Sequence, residues 1–491
     1  MKRILFCICS CLTLHSFAQN GMDNLWMMGW GSSSGISRIN FISGTPNVNS
    51  VNSSMNFSLT NGLISDSLGN ILFYTNGCYI ANAIDTTMFN GDGLNPGPCT
   101  SNQCPYGNIV MDGNIILPDP GNNNRYYLFH ETCDFNSPSV EPSLLYYSVI
   151  DMSQQGGLGS VVQKNNVIIN NGFLNWGFLT ATKHANGRDW WIVVHQLNSS
   201  QFYTLLLTPG GLWGPFTQLI GPSYANDGTG QTVFSPDGSK LATTTWYNGL
   251  NANNEALVKM YLFDFDRCTG LFNNPLYIEL DSVASGCGVA FSPNSRFLYA
   301  LPMDSIVQYD LLSPNIAASR ITIARSDSTN YPGGIAQLAY DQKIYICGGA
   351  GDSILHSINN PDSLGLNSNF VFNSIQLPHP NEGTLPNYPN YRLAAVTGSI
   401  CDTITGIKEV GFFQYKLNTY PNPSCDVFYL RFTDTSEQIE TVLVKDVLGR
   451  EIANYRNNTN SVNLSEQPAG IYFLQTIAKS GRMYSVKLVK E

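Results

Sequence analysis

One turn, repeated through the first four hundred residues, constrains this fold more than any other feature. "FSPDGSKLATTTW" (234–246) and "FSPNSRFLYALPM" (291–303) each place an aromatic residue and Ser-Pro before an Asp or Asn turn, then continue into an apolar or alternating strand. Proline at the second turn position presets φ, and Asp, Asn or Gly after it completes a tight reversal. Looser copies are "ISDSLGNILFYTNG" (64–77), "LPDPGNNNRYYLFHE" (117–131), "KHANGRDWWIVVHQ" (183–196) and "LAYDQKIYICGG" (338–349). Each leads into another strand pattern, such as "KMYLFDFDRCTG" (259–270) and "SIVQYDLLSP" (305–314). Six hairpins recurring at roughly 50–65 residues have the period of blades in a radial ring.

Burial says why such units assemble. A four-stranded blade has two apolar faces and is unstable alone, whereas blades packed around an axis cover both faces and leave only short edges. The ring must also close, and "NLWMMGWG" (24–31) and "NYRLAAVTG" (390–398) are the candidates for a composite seventh blade. The expectation is an all-β chain: a seven-bladed β-propeller over 19–400, a linker over 401–411 and a small Ig-like β-sandwich over 412–491. At 491 residues the chain exceeds one compact core. Its 12% charged and 12% aromatic content favours short strands and turns over helices. A net charge of −10 with no Lys/Arg cluster excludes nucleic acid and a polybasic membrane contact.

The start, "MKRILFCICSCLTLHSFAQN", has Lys2 and Arg3, a short apolar run and a small-x-small site, so residues 1–18 read as a signal peptide cut between Ala18 and Gln19. Lipidation at Cys11 is the alternative and leaves a very short apolar run; the run is too short to span a bilayer. Nine cysteines remain after cleavage, and export permits disulfides. Cys99 and Cys104, in "PGPCTSNQCPYG", are the candidate pair, and the odd total leaves at least one free thiol.

Toward the C-terminus, alternating segments near 427–432, 439–446, 450–455, 461–464, 470–477 and 482–489 are separated by "DVLGRE" and "SEQPAG", the pattern of a small antiparallel sandwich. Pro421 and Pro423 mark its entry, where no backbone donor is required. "YPNP" (Tyr420, Pro421, Asn422, Pro423), "KDVLGRE" with Gly449, "LSEQPAGIYFLQ" with Gly470 and Tyr472, and a basic alternating last strand resemble the type A C-terminal sorting domain of type IX secretion. That resemblance implies an address for the secretion machinery, carriage of folded cargo across the outer membrane, and removal of the tail by a sortase-like peptidase, with cargo released or joined to lipopolysaccharide. The ring, through "YYSVIDMSQQGGLGSVVQKN", "ATKHANGRDWWIVVHQ", "LFDFDRCTG" and "LPNYPNYRL", resembles secreted propellers of the Bacteroidetes, WD-type or lactonase-like in outline. This second resemblance implies a fold and no catalytic residues. Asp-Ser/Thr triplets resemble the O-glycosylation site of exported Bacteroidetes proteins, making Ser282, Ser305, Ser353 and Thr403 candidate acceptors; alternatively such pairs simply favour turns.

Chemistry is sparse. His184 and His195 lie in one hairpin, and a metal or acid–base role would need them to converge with a carboxylate; nothing in the segment completes such a site, so both read as hairpin caps. His130 and Glu131 point to opposite strand faces. Glu131, Asn226, Asp227 and Glu382 are the residues a lactonase-like divalent ion would use, and are read as loop solvation. Arg125, Arg188, Arg267, Arg296, Arg320 and Arg392 assemble no cluster for an anionic substrate, and Asp237 is a turn device. Neither a G-x-S-x-G nucleophile elbow nor a P-loop occurs. No catalytic, metal or cofactor residue is nominated. The expected function is a secreted or cell-surface propeller that binds a protein or glycan partner without catalysis; the alternative is a lactonase- or glycosidase-like hydrolase using the central channel. Acidic side chains converging on that channel favour the hydrolase, and a plugged channel favours binding.

Overall fold

The computed structural model describes residues 21–30, 35–136, 139–170, 172–223, 227–250, 256–280, 287–327, 331–402, 417–432, 438–446, 450–456, 459–479 and 483–491. Seven antiparallel sheets follow one another as contiguous blades: 25–51, 62–82, 114–169, 180–219, 227–280, 287–325 and 336–381. The first two have three strands and the other five have four. The hairpins read from sequence are in each case the first two strands of blades 2 to 7, as in Asp227–Phe234 with Lys240–Leu250 and Cys287–Phe291 with Phe297–Pro302.

The recurring turn is built the same way in blades 5 and 6. In blade 5, Asp237 Oδ1 accepts from Ser239 N at 2.9 Å and from Ser235 Oγ at 2.6 Å, while Ser235 Oγ accepts from Lys240 N at 3.0 Å. In blade 6, Ser292 Oγ donates to Asn294 Oδ1 at 2.7 Å, and that oxygen accepts from Arg296 N at 3.0 Å. The next position is left-handed in both turns, Gly238 at φ 72° and Ser295 at φ 61°; glycine takes this conformation without steric cost and serine does not.

Neighbouring blades share cores all the way round. One cluster joins blades 1 to 4 with residues of blade 7, and smaller ones join 4 to 5, 5 to 6 and 6 to 7. Trp190 and Trp191 serve opposite faces of one strand: Trp190 meets Tyr391 edge-on in the first cluster, and Trp191 meets Phe265 in the cluster between blades 4 and 5. An aromatic side chain burying about 150–250 Å² contributes roughly 4–6 kcal/mol by area, so this pair fixes two seams at once.

Closure differs from the expected composite sheet. Residues 390–398 form no strand. Ser65 N donates to Met22 O, and Asn61 Nδ2 donates to Met27 O, so Leu25–Met28 runs opposite to the inner strand of blade 2, Gly62–Ser65. Blade 1 thus lacks an inner strand of its own, and residues 384–391 lie where it would run. Blade 7 is sewn to blade 1 by Trp30 N to Pro380 O at 3.0 Å and by Ser50 Oγ to His379 Nε2 at 2.7 Å.

The cysteine pairing also differs. Cys99 does not pair with Cys104: Cys78 pairs with Cys104, Cys99 with Cys133 and Cys268 with Cys401, at Cα separations of 5.6, 5.5 and 5.7 Å. The reason is the short helix Pro98–Gln103. Five residues apart on a helix, two side chains diverge by about 140° around its axis, and helical spacing over five residues exceeds the reach of a disulfide. Among the described residues Cys347, buried, and Cys425, exposed, are free.

The tail is two sheets face to face. Leu417–Tyr420, Val427–Phe432 and Ser461–Asn463 make one; Glu451–Arg456, Ile439–Asp446, Gly470–Ala478 and Met483–Lys490 make the other. Phe428, Leu430 and Val462 from the first pack against Val442, Val444, Leu474 and Leu488 from the second. Among the described residues no helix is long and apolar enough to cross a membrane.

Candidate functional site

The axis of the ring holds the chain's own residues 384–393, and 394–401 emerge at its far mouth, where Val396 and Ile400 are exposed. At the near mouth, Asn387 N donates to Asn61 O at 3.2 Å, and its Nδ2 faces the carbonyls of Asp112, Asn114 and Leu179 at 3.3, 3.0 and 2.9 Å. These carbonyls lie at the starts of the inner strands of blades 2, 3 and 4, so one residue gathers three blades, its backbone meeting blade 2 and its side chain blades 3 and 4. Across the axis, Gln231 on blade 5 gathers blades 6 and 7. Its Nε2 donates to Ala336 O at 2.8 Å, and its Oε1 accepts from Val289 N at 3.1 Å and Ala336 N at 3.0 Å. Further along, Tyr388 donates its hydroxyl to Leu25 O at 2.7 Å, Tyr391 to Ile116 O at 2.8 Å, and Asn390 Nδ2 donates to Pro236 O at 2.7 Å. Burial pushes both phenols well above their ordinary pKa, so they stay donors.

At the far mouth Arg267 donates to four backbone carbonyls: Lys183 (2.8 Å), Asp237 (3.2 Å), His184 (3.2 Å) and Ala394 (2.6 Å). Gly187 is left-handed at φ 72° and lies against the axial segment; a Cβ there would sit 2.5 Å from Ala395 N. Cys401 then bonds Cys268, the residue after Arg267.

Near the axis a carboxyl is buried without a hydrogen bond. Glu131 is fully buried, and neither carboxyl oxygen makes a hydrogen bond. Burial first, then the neighbouring Asp112 carboxyl, raises its pKa well above the usual value; burial pushes Asp112 up to about 7. Such a pair can hold and release a proton. It has no histidine to work with. His130, on the opposite strand face, is spent on Asn95 Oδ1 at 2.7 Å and Ser148 Oγ at 2.9 Å, and burial draws it down to about 3. Among the described residues no three His, Cys, Asp or Glu side chains lie close enough together to hold a metal ion.

The residues nominated from sequence are not brought together. His184 bonds Cys268 O through Nε2 at 3.2 Å, and His195 bonds Asn175 Nδ2 through Nδ1 at 3.1 Å at the other end of its hairpin. Glu382 is half-buried and raised in pKa by burial; Asn226 and the side chain of Asp227 lie outside the described residues. Arg188, Arg296 and Arg392 pair with Asp189, Asp310 and Asp23. Ser305 is buried with its hydroxyl on Asp304 Oδ1, which closes it to an enzyme acting on the folded ring. Ser353 is half-buried, while Ser282, Thr403, Gly449, Ala18 and Gln19 lie outside the described residues. The axial amides were missed. Their one sequence signal is "LPNYPNY", where two prolines three residues apart disfavour a paired strand.

In the tail the nominated motif is structural glue. Asn422 Nδ2 donates to Lys487 O at 2.6 Å and its Oδ1 accepts from Val489 N at 2.9 Å. Tyr472, on the strand that opens at Gly470, donates its hydroxyl to Pro468 O at 2.7 Å.

Residues 418–491 match the family described as the secretion system C-terminal sorting domain. The tail therefore marks the chain as cargo of type IX secretion, bound for the cell surface. No curated protein sequence matches the chain. Among solved structures, it is similar to PorZ, a surface component of the type IX secretion system of Porphyromonas gingivalis, at 9% identity and a TM-score of 0.30, covering 96% of this chain and 74% of that one. The dihydro-heme d1 dehydrogenase NirN gives 11% identity and a TM-score of 0.36 over 75% and 76% of the two chains. AztD from Citrobacter koseri gives 12% and 0.34 over 74% and 97%. Likenesses this distant carry no functional argument.

Proposed function

We propose that the ring is a binding module displayed by type IX secretion, engaging a protein or glycan partner through its rim without catalysis. On this reading residues 1–18 are removed as a signal, 401–411 are the linker, 412–491 are the sorting domain, and a sortase-like peptidase detaches the tail once the cargo has crossed the outer membrane. The observation that supports it is the occupied axis: the place where a propeller hydrolase would seat its substrate is filled by residues 384–393, and Asn387 and Gln231 hold the inner strands together there. Charge narrows the partner. Residues 19–402 carry 26 acidic and 13 basic side chains, which favours a neutral or basic surface over an anionic polymer.

The rival, a lactonase- or glycosidase-like hydrolase, draws on the Asp112–Glu131 pair. Both are tested on the protein recovered from the host surface. Saturable binding to an outer-membrane protein or neutral glycan fraction, with no turnover of aryl esters, lactones or nitrophenyl glycosides with or without calcium, supports the binding reading. Turnover that disappears in Glu131→Gln overturns it in favour of the hydrolase.

A further inference from the structure

The last strand of the tail, Met483–Lys490, pairs with Gly470–Ala478 on one side and, among the described residues, has no sheet neighbour on the other. Open edges recruit foreign strands, and chain ends fray first. Here the entry turn of the same unit covers the edge. Asn422 Nδ2 donates to Lys487 O and to Thr419 Oγ1 (3.1 Å), while Oδ1 accepts from Val489 N. Ser424 N donates to Val489 O at 3.0 Å, and Glu491 N donates to Ser424 O at 3.1 Å. The amide of Asn422 is therefore fully used, offering a donor and an acceptor to two nearby backbone groups of one strand, which neither a carboxylate nor an amine of that length can do. Pro421 and Pro423 flank it and bring no N–H that would extend the sheet.

We propose that Asn422 is the positioning residue of the export address: it holds Lys487 to Glu491 in strand form, and the secretion machinery engages this clamped terminus rather than a frayed peptide. The inference rests on the tail acting as a sorting domain. It is tested on the full-length chain in its type IX-competent host, comparing wild type, a deletion of 418–491, Asn422→Ala, Asn422→Asp and the core variant Leu474→Ala. Export is read as the surface-plus-medium fraction, and amide exchange on the purified chains.

The deletion is expected to stay in the periplasm. Asn422→Ala should exchange its Val489 and Glu491 amides about tenfold faster, the size of one lost hydrogen bond or two, and lose export several-fold. Asn422→Asp keeps the acceptor for Val489 and loses the donor to Lys487, so it should fall between. Leu474→Ala should lower tail melting at least as far yet export better than Asn422→Ala. Normal export of Asn422→Ala beside a retained deletion overturns the role of Asn422 and leaves the sorting reading standing. So does export that tracks tail stability alone across both single-site variants. Export of the deletion overturns the sorting reading itself.

Discussion

The ring and the tail are closed by the same tripeptide. Tyr388-Pro389-Asn390 lies on the ring axis and Tyr420-Pro421-Asn422 opens the tail, and in each the asparagine Nδ2 reaches a backbone carbonyl of a distant segment, Pro236 in one and Lys487 in the other. The surroundings differ. Tyr388 is 8% exposed, with its hydroxyl on Leu25 O, and the segment it belongs to ends in a disulfide. Tyr420 is 52% exposed, and hydrogen bonds alone hold the edge it serves. A desolvated hydrogen bond costs more to break than one water can replace, so the ring closure is the costlier of the two to open. Charge follows the same divide: residues 418–491 balance eight acidic with eight basic residues, whereas the ring is strongly acidic.

The largest effect should come from Cys401→Ser. The bridge spans 133 residues, and losing a cross-link of that size costs about 4 kcal/mol. Denaturant unfolding of the ring reads it; a loss under about 1 kcal/mol would mean that the axial segment holds without covalent help. Asn387→Ala should follow at about 2–3 kcal/mol, because buried carbonyls on blades 3 and 4 lose their donor.

The next test is pH. Folded Asp112 and Glu131 keep protons that the unfolded chain has lost, so the folded state binds more protons, and stability falls as pH rises through the carboxylate range, up to about 7 for Asp112. His130 and His195, drawn down to about 3 by burial, act in the opposite sense: their contribution is lost as pH falls below 6.5. The two trends overlap in acid, and Lys183, drawn down to about 8 by burial, adds a rise of stability with pH at the alkaline end, so the carboxylates are read by difference between wild type and variant. Ring melting should decline less steeply with rising pH in Glu131→Gln than in wild type; an unchanged slope would show that Glu131 does not carry the effect. The smallest difference sharpens the comparison most. Asn390→Ala should cost the ring about 1–2 kcal/mol and Asn422→Ala the tail about 0.5–1, measured by thermal melting, and equal costs would break the argument from burial.

What was legible in the sequence is what depends on near neighbours. The Ser-Pro-Asp turn is decided within six residues, which is why all six hairpins were visible, and the six tail segments follow from alternation along each strand. The axial plug is not local. Asn387 meets carbonyls 208 and 275 residues upstream, and no feature of "PNYPN" records which three blades will converge on it. Glu131 reads as loop solvation because alternation along one strand does not record what covers its end. The disulfides failed as a reading for the opposite reason: Cys99 and Cys104 are too near, placed on one short helix that turns them apart.

The bridge at Cys401 also decides where force enters. A pull on the tail, of the kind a secretion motor or a tethered surface exerts, travels back along the chain only as far as Cys401 and there divides across the disulfide into Cys268 on blade 5. Residues 384–400 carry only part of that tension until the sulfurs part. Arg267, bonded to Lys183, Asp237, His184 and Ala394, stiffens the point of attachment. The ring can thus be towed by its tail without being unthreaded.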